Sequence, residues 1–145
     1  MPIEQALVSS IFHAVSAFCN AGFSLYSDSI SRFADDWIVN LIIISLIFCG
    51  GLGFGVLLGL RRNFFEHSRK FLSVHVRLVL IASAVFIVGG WLVYFFFEYD
   101  HSLKHLSLSG KIIASLLQSV TTRTAGFNSV PMEQTQPVTN LFMIL

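Results

Sequence analysis

From Trp37 to Leu60 the chain runs for about 24 residues without a charged side chain, and no other feature limits its folding so strongly. A helix of that length extends roughly 36 Å, enough to cross a hydrocarbon core of about 30 Å. A second uncharged run, Leu78 to Phe97, adds about 20 more residues. Both are read as membrane-spanning helices. Asp35 and Asp36 introduce the first, and Arg61 and Arg62 close it. Arg77 precedes the second, and Trp91, Tyr94 and Tyr99 mark its far end, as expected of interfacial anchors. With 54% hydrophobic and only 12% charged residues, the chain lacks the polar surface that water demands, so the bilayer is its solvent. A net charge of +1 leaves no basic face for nucleic acid.

Between the two runs lie Arg61, Arg62, Arg69, Lys70 and Arg77, five of the nine basic residues, so segment 61–77 is expected to be cytoplasmic. The same segment has two uses open to it: a topology determinant touching anionic lipid, or a docking surface for a regulator. Two further apolar stretches, Ala6 to Phe18 and Ile112 to Val120, are too short to span and are read as re-entrant or buried helices. A signal peptide does not fit the first, because no basic residue precedes it and Glu4 has the wrong sign. Asn140 to Leu145 begins another hydrophobic run, read as the start of a third span.

The chain resembles itself. SAFCNAGFS from Ser16 to Ser24 matches TTRTAGFNS from Thr121 to Ser129, and both contain Ala-Gly-Phe after a short apolar segment. The unit implied is membrane helix, pore helix, loop, membrane helix. Residues 1–60 supply the pore helix, loop and closing helix of one unit; 78–145 supply the opening helix, pore helix, loop and start of the closing helix of the next. Non-helical backbone at membrane depth survives only where protein buries it or it lines a water-filled path. A short helix ending at such a loop directs the negative end of its dipole inward, which favours a cation. Gly22 and Gly126 accept positive φ cheaply, so consecutive carbonyls can turn to replace an ion's water shell. A plain tight turn after a helix is the alternative for one copy; two copies in equivalent settings favour a filter.

Phe12 to Tyr26, FHAVSAFCNAGFSLY, and Leu116 to Val130, LLQSVTTRTAGFNSV, resemble the second and third pore-loop regions of the Trk/Ktr potassium uptake proteins (TrkH/KtrB type). FCGGLGFG, Phe48 to Gly55, resembles the helix after their second loop. The resemblance covers essentially the whole chain. It implies an all-helical integral membrane protein, a multi-pass subunit of a bacterial plasma membrane, with four such units around one pore and two of them present here. Carried across by position, the filter backbone is Asn20, Ala21, Gly22 and Phe23 in one loop and Thr124, Ala125, Gly126 and Phe127 in the other, holding potassium as substrate through carbonyls. No cofactor is expected in this chain. The resemblance implies as partners the remaining repeats, a second copy of the complete subunit, and a cytosolic ring that binds the regulatory nucleotide. Three residues depart from the family pattern: Cys19 where Asn is frequent, Gly55 where Pro is frequent, and Pro131 where an acidic residue is common.

Gly51, Gly55 and Gly59 recur every four residues and are read as one face of the first span, allowing close helix crossing. A nucleotide-binding loop would require a preceding strand, which a mid-membrane position does not offer. Arg123 sits in the second loop, where an unpaired charge would repel the ion; it is expected to point away from the axis and brace the loop through a carboxylate or backbone carbonyls. His101 and His105 are read as solvated, and His13 as a packed histidine. Cys19 and Cys49 stand apart in apolar surroundings, which excludes a disulfide framework. No catalytic constellation assembles from the eight carboxylates, so no enzymatic activity is expected. The alternative to a transporter is a non-transporting membrane assembly module or an inert remnant.

Overall fold

The computed structural model describes residues 3–65, 73–131 and 135–144. Six α-helices occur there, one more than expected: α1 (Ile3–Phe18), α2 (Trp37–Gly51), α3 (Phe54–Phe65), α4 (Val74–Glu98), α5 (Leu108–Thr124) and α6 (Pro137–Ile144). A single 3-10 turn, Ser31–Phe33, lies between α1 and α2.

Helix α4 meets the expectation of a spanning helix. It has 25 residues, its most apolar 18-residue window has a mean hydropathy of 2.4, and only 11% of that window is buried inside the protein. A face so apolar and so open is one that lipid or further protein must cover. Ser73 starts the helix by accepting the Val76 N–H.

The first uncharged run is not one straight helix. Its two halves, α2 and α3, are bent by 101° at Leu52–Gly53. Gly53 takes φ +79°, a left-handed conformation that few other residues adopt, and this ends α2 within an unbroken apolar stretch. The three glycines spaced by four therefore do not share one face: Gly51 ends α2, while Gly55 and Gly59 lie beyond the bend in α3, Gly55 with open space about it. Gly59 alone makes a tight crossing, since a Cβ there would lie 2.9 Å from Val76 Cγ2 of α4. Close crossings occur at positions the spacing did not indicate. At Gly90 of α4 an added Cβ would lie 2.6 Å from Ser119 Oγ of α5, and Ser119 Oγ donates to the Ile87 carbonyl at 2.8 Å.

The interfacial reading of the aromatic flank also changes. Tyr94 is fully buried with Leu103, Ala114 and Val130, and Trp91 Nε1 donates to Ser115 Oγ of α5 at 3.0 Å. Both rings tie α4 to the pore-helix candidate α5. Tyr99 is the one left at the surface, with Lys111 Nζ 3.7 Å from its ring centroid. Of segment 61–77, Arg69 and Lys70 lie outside the described residues; Arg61 and Arg62 belong to α3 and Arg77 to α4.

The core joins the two units. Ala17 of α1, Ile43 and Ile47 of α2, and Leu117, Val120, Ala125 and Phe127 of the second unit form one buried cluster. Two adjacent aspartates hold this arrangement. Asp36 caps α2 by accepting the Ile38 and Val39 N–H groups, whereas Asp35 Oδ1 accepts from Ser107 Oγ at 2.8 Å and so lies over the start of α5. A carboxylate there is stabilised by the positive end of the α5 dipole.

Candidate functional site

Both short helices end where the repeat places Ala-Gly-Phe, by different routes. Helix α1 closes with the Ala21 N–H on the Ser16 carbonyl at 2.9 Å and the Asn20 N–H on the Ala17 carbonyl at 3.1 Å, with Asn20 left-handed at φ +53°. This pairing is the Schellman termination, and Asn tolerates its left-handed residue better than most. Helix α5 instead runs on through Thr124, and Ala125 still has helical angles. Despite this, Gly22 and Gly126 arrive at nearly the same conformation, φ +70° and φ +76°.

The two loops meet backbone to backbone. A Cβ on Gly22 would drive into the Ala125 carbonyl oxygen and lie 3.1 Å from Gly126 Cα. Among the described residues no donor pairs with the carbonyls of Asn20, Ala21 and Gly22, nor with those of Ala125, Gly126 and Phe127. The negative ends of α1 and α5 converge there as well. Such a site is poor for an anion and suited to a dehydrated cation.

The expected set of eight filter residues is not uniform. The Phe23 carbonyl accepts from Ser16 Oγ at 2.8 Å, so it faces back toward α1 and leaves the group of free carbonyls. Thr124 lies within the last turn of α5, so the second loop begins at Ala125. The phenylalanines differ too: Phe23 is 69% exposed, whereas Phe127 is completely buried in the shared core.

Sequence reasoning missed the side-chain part of Asn20. Oriented so that both ends of its amide are satisfied, Asn20 donates to the Ile47 carbonyl at 3.3 Å and accepts from the Gly51 N–H at 3.2 Å. It thereby joins the first loop to the end of α2, which approaches so closely that a Cβ on Gly50 would strike the Phe18 carbonyl oxygen. The signal available in the sequence was the cluster of glycines opposite an Asn at a helix terminus.

Arg123 Nη2 donates to Ser83 Oγ of α4 at 3.1 Å, a hydroxyl in place of the carboxylate or carbonyl expected. Ser83 is itself buried in the middle of an apolar helix. Bonds of this charged kind contribute about 1.5–3 kcal/mol, and an exposed guanidinium belongs at the lower end. Arg123→Gln and Ser83→Ala are each expected to slow ion uptake several-fold in the full-length protein, measured as initial rates. Unchanged flux and selectivity in both would exclude a bracing role.

His101 and His105 are exposed in the turns after α4, and no group of three or more His, Cys, Asp or Glu that could hold a metal occurs among the described residues. Cys19 and Cys49 are free and exposed. Pro131 is exposed just past the second loop. Outside the helices, the Arg32 guanidinium donates to Asp28 at 2.7 Å, and this side-chain bond holds the Asp28 carboxyl below its ordinary range.

Paired short helices with glycine loops between membrane helices define a pore-loop membrane protein. Residues 4–145 match the family model described as TrkH, cation transport protein. The chain belongs to this family of transporters. It is 40% identical over 144 residues to the Ktr system potassium uptake protein B of Bacillus subtilis, covering 98% of this chain and 32% of the relative. Identity to the Vibrio alginolyticus protein of the same name is 37% over 148 residues, covering 98% and 32%. It is 38% over 122 residues to the potassium/sodium uptake protein NtpJ of Enterococcus hirae, covering 83% and 26%. The chain thus spans about a quarter to a third of the length of these curated relatives.

Proposed function

We propose that this chain forms the second and third pore-loop units of a potassium uptake transporter, and that potassium passes, largely dehydrated, between carbonyls of its two Ala-Gly-Phe loops. The observation that carries this reading is the meeting of Gly22 with Ala125 and Gly126, both glycines left-handed and the flanking carbonyls without a donor among the described residues. Names of the relatives, two potassium uptake proteins and one potassium/sodium uptake protein, supply the ion. Two loops cannot encircle an ion, so the remaining units of the same subunit complete the ring. The driving force is the ion's electrochemical gradient.

The setting follows from the same reading: a bacterial plasma membrane, a homodimer of the complete subunit, and a cytosolic nucleotide-binding ring that gates it. Segment 61–77 is the contact we assign to that ring. Neutralising Arg69 and Lys70 in the full-length protein should weaken co-purification of the ring, and undiminished co-purification would remove this segment as the contact.

Gly126→Ser tests the filter. Its added Cβ has room, with Gly22 Cα 3.8 Å away, but φ +76° costs a non-glycine residue about 1–2 kcal/mol. Potassium preference over sodium should fall about tenfold in uptake competition, a change equivalent to about 1.4 kcal/mol. Normal selectivity in the variant would sink the filter assignment, whereas absence of potassium uptake by the complete protein would favour the reading of a non-transporting assembly module.

A further inference from the structure

The two loops share a motif but are held from behind by different physics. In the second unit, Leu117 and Val120 of α5 are buried in the apolar core against Phe127. When the Ala-Gly-Phe motifs are superposed, the matching positions of α1 are His13 and Ser16. His13 is 7% exposed, stacked on the Tyr26 ring at 5.0 Å. Its Nδ1 lies 2.7 Å from the Ser9 carbonyl oxygen, which can only accept, so Nδ1 carries the proton. Its Nε2 accepts the Leu25 N–H at 3.4 Å and lies 3.0 Å from Ser24 Oγ. The imidazole thus joins the body of α1 to the segment that leaves the first loop, using one donor and one acceptor.

That segment continues to the second loop. Ser24 Oγ donates to the Ser29 carbonyl at 3.0 Å, and Ser29, left-handed at φ +56°, accepts the Asn128 N–H on its Oγ at 3.1 Å. The Asn128 carbonyl in turn accepts the Ile30 N–H at 3.2 Å. His13 Nε2 thus holds the Ser24–Leu25 peptide through the Leu25 N–H, and the Ser24 hydroxyl spends its one proton on Ser29, so the path from His13 to the residue following Phe127 passes through that peptide and not through a His13–Ser24 hydrogen bond.

We propose that His13 is a positioning residue that determines ion preference: it sets the register of the first filter loop against the second through Ser24, Ser29 and Asn128. The role rests on the transport reading above. It assigns to the first loop a polar post where the second has an apolar one, so the first loop's geometry depends on a matched donor and acceptor. Leucine, the residue at the equivalent place in α5, fills the volume but leaves the Leu25 N–H without its acceptor.

The experiment compares wild type, His13→Leu, His13→Gln and Ser24→Ala in the full-length transporter, expressed in cells lacking their own potassium uptake. KM and maximal rate are measured for potassium and sodium at matched membrane abundance. His13→Leu is expected to lower the potassium-over-sodium preference about tenfold, chiefly through KM, and His13→Gln, which keeps one donor and one acceptor, to recover most of it. Ser24→Ala, which leaves packing at position 13 intact, is expected to lose about threefold and decides the matter if His13→Leu fails to accumulate. Wild-type preference in His13→Leu or Ser24→Ala, or equal loss in the Leu and Gln variants, would overturn the role while leaving the transport reading standing. Absence of potassium uptake by the wild type would overturn both.

Discussion

Gly22→Ala should abolish potassium uptake almost completely and do so more severely than Gly126→Ala, although both replace the central glycine of the same tripeptide. Each substitution forces an L-residue into the left-handed region, at φ +70° and φ +76°, for about 1–2 kcal/mol. Only at Gly22 does the new methyl meet backbone, the Ala125 carbonyl, and backbone has no flexible end that can swing aside. Relief requires the loops to separate, which moves the carbonyls that would replace the ion's water. If strain and separation together amount to about 3 kcal/mol, uptake falls by about two decades, against roughly one for Gly126→Ala. Uptake rates normalised to membrane abundance check this. Equal losses would show that the contact between loops is not what limits the pore.

That contrast was beyond the sequence. The two tripeptides read alike, and the hydropathy that reveals spans says nothing about which backbone lies against which. What composition and length do encode was legible: the long apolar helix α4, the short helices α1 and α5, and the repeat that pairs them. The break at Gly53 was hidden because apolar residues continue on both sides, and a glycine needed for positive φ looks the same as one needed for helix packing. The stripe of Gly51, Gly55 and Gly59 failed for that reason, since periodicity assumes the straight helix that Gly53 interrupts.

Polar residues were legible as exceptions in an apolar chain, and less so as partners. Arg123 was singled out as a charge needing a partner, yet the partner it has, Ser83, lies 40 residues away on another helix. Asp35 and Asp36 appeared as a single interfacial flank, whereas a one-residue step sends them to different helices, α5 and α2. Asp35 closes a turn while Asp36 is the extended N-cap of α2, so one acidic pair can secure two units at once. The candidate site is built similarly: besides the bonds within its own unit, each loop touches a residue from the other, by the contact of Gly22 with Ala125 or the bond of Asn128 to Ser29. Stability of either unit alone is therefore a poor guide to the geometry of the pair.

Glu98 extends this logic to the last helix and gives the second large effect. It ends α4, is fully buried, and collects three donors: the Gln136 N–H at 2.8 Å and Thr139 Oγ1 at 2.6 Å on Oε1, and the Ser102 N–H at 3.4 Å on Oε2. Pro137 follows Gln136 as the first residue of α6, its fixed φ suited to a helix start, and Glu98 satisfies donors on either side of it. Since α6 has only eight described residues, its place beside α4 depends heavily on this clasp. Glu98→Ala strands the donors in a buried pocket, and each unpaired group costs about 1–3 kcal/mol. Glu98→Gln keeps one acceptor for the two short bonds and turns its amide toward the long one, so it should cost about 1 kcal/mol. Thermal unfolding of the full-length protein in detergent is thus expected to show a drop of several degrees for Glu98→Ala and a much smaller one for Glu98→Gln. Potassium uptake should fall in the same order, because Met143 of α6 packs against the cluster that holds Val130 at the end of the second loop. Equal destabilisation by both variants would mean that the intact carboxylate is required and that the single acceptor kept by glutamine, which fills the same volume, does not secure α6.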